Sequence, residues 1–137
     1  MTQKKLLVKD YMTKRLTTLS PDTEIMQAVQ TLIKKDISGA PVVDDNDQLV
    51  GILTQKDCMK VVLNAAYHSE FAGIVADFMS TEISSLAPEL SLVEAAQCFL
   101  EQRYHRYPVL EDGVLIGQIS RRDILRALED AWQWKND

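Results

Sequence analysis

The sequence predicts a mixed α/β (α+β) protein made of two tandem β-α-β-β-α copies, and three observations carry that expectation. The 137-residue chain repeats itself, each copy contains one helix-period apolar stripe, and each stripe is followed by two β-prone runs around a turn. The repeat comes first because a missed period misassigns every later element. Val8-Lys-Asp-Tyr-Met12 returns as Val75-Ala-Asp-Phe-Met79. The offset of 67 carries Leu19 to Leu86, Pro21 to Pro88, Ala28 to Ala95 and Pro41-Val42 to Pro108-Val109. One deletion in a turn makes it 66, carrying Leu49 to Leu115, Gly51 to Gly117, Thr54 to Ser120 and Asp57 to Asp123. A unit of roughly 55 residues is near the size at which a lone core becomes marginal, so the copies are expected to share one.

Each copy opens on a short β-prone run, Leu16-Thr17-Thr18-Leu19 or Ile83-Ser84-Ser85-Leu86, ending at Pro21 or Pro88, where a missing N–H stops a ladder. A helix follows, its buried stripe expected from Ile25, Ala28, Val29, Leu32 and Ile33, and from Leu92, Ala95, Ala96, Phe99 and Leu100. Ser91 and Glu94 have the spacing of a capping box. Two strands come next, 41–43 and 49–53 in the first copy, around the turn Asp44-Asp45-Asn46-Asp47. The second copy turns on Asp112-Gly113, a dipeptide suited to the positive φ of a tight hairpin. A second helix is expected from Thr54 to near Leu63 and from Ser120 to near Trp134, with Asn64 to Ile74 as a connector. The expected organisation is therefore a first repeat over 1–63, a connector over 64–74, and a second repeat with its C-terminal helix over 75–137.

Composition narrows the function class. Hydrophobic residues at 46% and charged residues at 26% describe a soluble globular chain. The N-terminal apolar run is too short for a signal-peptide core or a membrane span, which points to the cytoplasm and to no membrane insertion. Cys58 and Cys98, 40 positions apart with no further ligand at zinc spacing, read as reduced, packed thiols. A net charge of −5 counts against nucleic acid as a partner, yet five of six arginines fall within 24 residues (Arg103, Arg106, Arg121, Arg122, Arg126). Such a cluster either decorates solvated helix faces or marks a local anion site.

The strongest local signal is Gly51-Ile-Leu-Thr54-Gln-Lys-Asp57, repeated as Gly117-Gln-Ile-Ser120-Arg-Arg-Asp123. It brings a hydroxyl and, three residues later, a carboxylate to the first turn of a helix. A reciprocal cap accounts for it without any ligand. Equally, a carboxylate there suits a vicinal diol, as in dinucleotide folds, with hydroxyl and free amides receiving phosphate. His68 reads as a connector histidine, Met12 and Met79 as shared packing, and Trp132 and Trp134 as cover for a core edge or a partner subunit.

These features together resemble a tandem pair of cystathionine β-synthase (CBS) domains, the Bateman module. The matching pieces are the runs ending at Pro21 and Pro88, the segments Ile37-Ser-Gly-Ala-Pro41-Val-Val-Asp44 and Tyr104-His-Arg-Tyr-Pro108-Val-Leu-Glu111, and the Gly-x-x-Thr/Ser-x-x-Asp endings. The resemblance implies pseudo-two-fold packing of the repeats, two clefts for adenosine-containing ligands, and a homodimer. It gives the ribose hydroxyls to Asp57 and Asp123, and contacts near ribose or phosphate to Thr54 and Ser120. One cleft would join Thr54 and Asp57 to Ala87, Tyr104, His105 and Arg106; the other would join Ser120 and Asp123 to Ser20, Ile37 and Ser38. A His-Arg pair holds nucleotide phosphate in the gamma subunit of AMP-activated protein kinase, which the His105-Arg106 part resembles, and Arg122 sits where a further basic contact can occur. Ser38-Gly39 replaces His-Arg in the first copy, so the cleft of Asp57 is expected to favour phosphorylated ligands over that of Asp123.

Two function classes follow. The first is a non-enzymatic regulatory module, needing no cofactor, that binds AMP, ADP, ATP or S-adenosylmethionine and signals to a separate regulated protein. The second is a ligand-free dimerisation or interaction module, favoured by Ser38-Gly39 and by bulky Tyr104 and Tyr107. An enzyme would need a nucleophile with a positioned base, or a metal with several ligands, and the sequence offers neither pattern.

Overall fold

The computed structural model describes residues 6–136, and its hairpins show the duplication most directly. Strand β1 (Gly39–Val43) pairs antiparallel with β2 (Leu49–Thr54), and β3 (Arg106–Glu111) with β4 (Val114–Ser120). The register slips after Val42 in one hairpin and after Val109 in the other, which are equivalent positions of the repeat. Asp112 and Gly113 both take positive φ, 52° and 83°, giving the expected two-residue turn. The first copy instead folds its longer turn around Asp44, whose Oδ1 accepts from the Asn46 and Gln48 amides at 2.9 and 3.0 Å.

The first β-prone run of each copy shrinks to one parallel bridge, Leu19 with Val42 and Leu86 with Val109. The cause is a proline opposite. Leu19 N–H donates to the Pro41 carbonyl and the Leu19 carbonyl accepts from Val43 N–H, both at 2.9 Å. The next bond of a parallel ladder would come from the N–H of residue 41, and Pro41 has none. Pro108 ends the Leu86 pairing in the same way.

The helices depart from expectation in three places. Helix α2 (Ile25–Lys35) buries Ile25, Ala28 and Leu32, and α5 (Leu92–Glu101) buries Leu92, Ala95 and Phe99. The last residue of each expected stripe faces outward, Ile33 at 74% and Leu100 at 87% exposure. Helix α3 (Gln55–His68) overruns the expected end by five residues and stops at Ser69 in the left-handed conformation, so His68 lies in its last turn and not in a connector. Helix α6 spans Arg121–Asn136. The segments Val8–Tyr11 (α1) and Val75–Phe78 (α4) form single helical turns; in each, an aspartate at the third helical position accepts from the amide before the turn, Asp10 from Leu7 and Asp77 from Ile74, both at 3.0 Å.

The chain forms two compact units, and they do not follow the order of the repeats. One unit contains Thr17–Ile83; the other combines the segment up to Leu16 with Ser84 onward. In the Thr17–Ile83 unit, Ser80 pairs with Ile52 on the outer edge of β2, and Met79 sits over Gly51. In the other, Thr13 pairs with Gln118 on β4 and Met12 sits over Gly117. Each repeat's opening segment therefore serves the hairpin of the other repeat. A Cβ at Gly51 would lie 2.5 Å from Met79 Sδ, and one at Gly117 2.6 Å from Met12 Sδ. The recurring methionines are the packing feature the repeat suggested.

Candidate functional site

Each unit presents the same device where a strand runs into a helix. Thr54 closes β2 and caps α3; its Oγ1 accepts from Asp57 N–H at 3.1 Å. Asp57 answers, its Oδ2 accepting from Thr54 N–H and from the Thr54 hydroxyl, each at 3.0 Å. Ser120 and Asp123 repeat this, with Ser120 N–H and Oγ donating to Asp123 Oδ2 at 2.8 and 3.1 Å and Asp123 N–H donating back at 3.3 Å. Both carboxylates are buried, Asp57 at 5% and Asp123 at 6% exposure. The spacing read from the sequence is thus a complete capping box in both copies.

The second oxygen of each carboxylate brings in residues that the sequence reading missed. Asp57 Oδ1 accepts from Ser80 Oγ at 2.9 Å and from Lys60 Nζ at 3.3 Å. Asp123 Oδ1 accepts from Arg126 at 2.7 Å. Lys60 and Arg126 are repeat equivalents, and each also reaches a carbonyl of the adjoining short helix, Phe78 O at 3.4 Å and Tyr11 O at 3.3 Å. Their position three residues after the aspartate was a usable sequence signal. Ser80 had none, since it stands 23 residues away in the opening segment of the other repeat.

The helix starts are less open to anions than the sequence suggested. A helix begins with four amides lacking intrahelical partners. At α3, Thr54 N–H goes to Asp57, Gln55 N–H to the Ser38 carbonyl at 2.9 Å, and Asp57 N–H to Thr54 Oγ1. At α6, Ser120 N–H goes to Asp123, Arg121 N–H to the His105 carbonyl at 3.2 Å, and Asp123 N–H to Ser120 Oγ. Among the described residues only the amides of Lys56 and Arg122 remain without such a partner, so phosphate recognition would have to come chiefly from side chains.

Within units, the structure places the remaining candidates as follows. Ile37 and Ser38 adjoin the α3 start, but Ile37 is half-buried against the core. Ser20 is exposed and turned into its own loop, accepting from Asp22 N–H at 3.4 Å. In the other unit, Arg106 lies opposite Ser120 in the β3–β4 register, with His105 beside it. His105, Arg106 and Arg122 are exposed and form no ion pair among the described residues. Ala87 is exposed in the turn before α5. The residues that the resemblance groups with Asp57, namely Ala87, Tyr104, His105 and Arg106, thus belong to the unit containing Asp123.

The two tyrosines separate. Tyr107 is buried in the core, edge-on to Phe99 at 4.9 Å, and its hydroxyl donates to the Cys98 carbonyl at 3.0 Å. It is a packing residue of its unit's core. Tyr104 is exposed and packs edge-on to Tyr107 at 5.5 Å. Burial pushes the Cys58 thiol above its usual range, and neighbouring Asp57 adds to the rise. Trp132 and Trp134 are exposed on α6.

Comparison with known proteins places these features. The CBS domain family model matches residues 8–64 and 75–130. Protein MJ1225 of Methanocaldococcus jannaschii is 26% identical over 129 residues, 94% of this chain but 45% of its own length, so the chain spans about half of that relative. The structure of CBSX2 in complex with AMP, a protein of Arabidopsis thaliana, superposes with a TM-score of 0.80 at 32% identity, covering 91% of this chain and 97% of that one. The CBS domain pair of MJ0100 in complex with 5'-methylthioadenosine and S-adenosyl-L-methionine gives 0.72 at 25% identity, covering 93% and 98%.

Proposed function

The chain belongs to the CBS domain family, and from that membership we propose that it is a non-enzymatic regulatory module binding AMP, ADP, ATP or S-adenosylmethionine. The observation that carries the reading is the buried carboxylate at the first turn of α3 and again of α6, each beside a capping hydroxyl. A carboxylate accepts two hydrogen bonds from a vicinal diol, and every ligand on that list bears a ribose diol. The named ligands of CBSX2 and MJ0100 are all adenosine compounds, which supports the class.

In this proposal Asp57 and Asp123 accept ribose hydroxyls, with the Thr54 and Ser120 hydroxyls turning from carboxylate to ligand. Exposed His105, Arg106 and Arg122 supply charge-assisted bonds to phosphate, and Ala87, Tyr104, Ser20, Ile37 and Ser38 provide shape. The protein acts in the cytoplasm as a homodimer on a separate regulated protein, and occupancy signals through differential affinity for two arrangements. A thermal-shift panel of AMP, ADP, ATP, S-adenosylmethionine and NADH tests this. Ligand at about 100-fold over its dissociation constant adds about 2.7 kcal/mol, so at least one compound should raise Tm clearly. No shift with any of them overturns the proposal.

A ligand-free interaction module is the second reading, and one observation favours it: Asp57 already accepts four hydrogen bonds from its own unit. Unchanged Tm with every adenosine compound, together with a dimer by light scattering, would select it.

A further inference from the structure

The two ribose-binding carboxylates of the proposed function differ in one hydrogen bond, and we infer from it that Ser80 sets the affinity of the Asp57 site by competing with the ribose diol. The inference rests on the reading that Asp57 takes ribose hydroxyls. An ionised carboxylate offers about four lone-pair positions. At Asp57 all are taken: Thr54 N–H and Oγ1 on Oδ2, Ser80 Oγ and Lys60 Nζ on Oδ1. At Asp123 three are taken, by Ser120 N–H, Ser120 Oγ and Arg126. The repeat equivalent of Ser80 is Thr13, which is exposed and gives Asp123 no bond among the described residues.

A bidentate diol needs two acceptor positions. At Asp123 one is free among the described residues, and rotation of the Ser120 hydroxyl frees the second. At Asp57 rotation of Thr54 frees one, and the second requires Ser80 or Lys60 to leave. The Ser80 bond, at 2.9 Å to a buried carboxylate, is the shorter of the two. Ser80 lies on the backbone bridge to Ile52, so its main chain is pinned on both sides and only its hydroxyl can turn away. The residue therefore does two opposing things. It satisfies Asp57 while the site is free, and it holds an acceptor position that the diol could otherwise use without displacing Lys60.

The test is calorimetry of AMP and 2'-deoxy-AMP on the full chain carrying Ser80→Ala, with Asp57→Ala and Asp123→Ala identifying each binding event. Removing the competitor should tighten the event that Asp57→Ala abolishes by about tenfold and leave the event lost in Asp123→Ala unchanged. 2'-Deoxy-AMP, which needs one acceptor fewer, should gain less, and ligand-free Tm should fall because Asp57 loses a partner. Ser80→Cys, similar in shape but a weak donor, gives the same sign if the alanine variant does not fold. An Asp57 event that stays equal or weakens in both variants overturns the role of Ser80 while leaving the ribose reading intact. If no event in the wild type or in the Ser80 variants depends on Asp57, the ribose reading falls and the inference with it.

Discussion

Replacing Asp57 by alanine separates the structural work of this carboxylate from any ligand it binds. Four donors lose their acceptor: Thr54 N–H, Thr54 Oγ1, Ser80 Oγ and Lys60 Nζ. Lys60 is 58% exposed and returns to water, so its ion pair adds little. The Thr54 and Ser80 hydroxyls are half-buried and can turn, whereas the Thr54 amide is fixed at the helix start. One lost cap and one poorly satisfied amide, with the weakened Ser80 bond, sum to about 2–3 kcal/mol. For a chain of this length that is a Tm fall of about 10 °C. Asp57→Asn keeps the shape but loses the charge and should cost about half as much. Urea unfolding of the ligand-free protein, followed by circular dichroism, measures both, with the midpoint moving and the slope unchanged. Stability of Asp57→Ala within about 0.5 kcal/mol of wild type would refute a stabilising role for this network.

Gly51→Ala should cost about 1–3 kcal/mol by urea unfolding, because its Cβ meets Met79 Sδ at 2.5 Å and the Ser80 carbonyl at 3.1 Å; Gly117→Ala should behave alike against Met12. Burial, then the Asp130 hydrogen bond and charge, push the Tyr11 phenol up to about 12 from an ordinary 10. The folded state therefore keeps a proton that the unfolded chain loses first, so the contribution of Tyr11 is complete below pH 10 and falls away between pH 10 and 12. Tyr11→Phe should flatten stability over that window, measured by denaturant unfolding at each pH. Arg106→Gln should weaken AMP about tenfold and adenosine hardly at all by calorimetry, since only the former offers phosphate to a guanidinium.

What the sequence revealed depended on whether the cause was local. The Asp112-Gly113 turn and the Thr54–Asp57 box are fixed by residues within three positions of each other, and both occur where spacing placed them. The single turns at Val8–Tyr11 and Val75–Phe78 have four residues each, too few for the apolar period to repeat, so periodicity could not find them. Helix α3 continues through Asn64-Ala-Ala-Tyr-His68 on exposed and half-buried residues, where propensity and the Ser69 cap matter and no buried stripe marks the extension. The partnership of Ser80 with Asp57 depends on the opening segment of one repeat crossing to the hairpin of the other, a long-range event with no spacing signature.

In the proposed function the two carboxylates, Asp57 and Asp123, receive an adenosine ligand. Calorimetric titration of AMP into wild type and into the Asp57→Ala, Asp123→Ala double variant, with circular dichroism confirming that the variant folds, tests it most directly. Saturable heat in the wild type that disappears in the folded double variant is the predicted result. AMP binding of equal strength in both proteins would contradict a ligand role for Asp57 and Asp123.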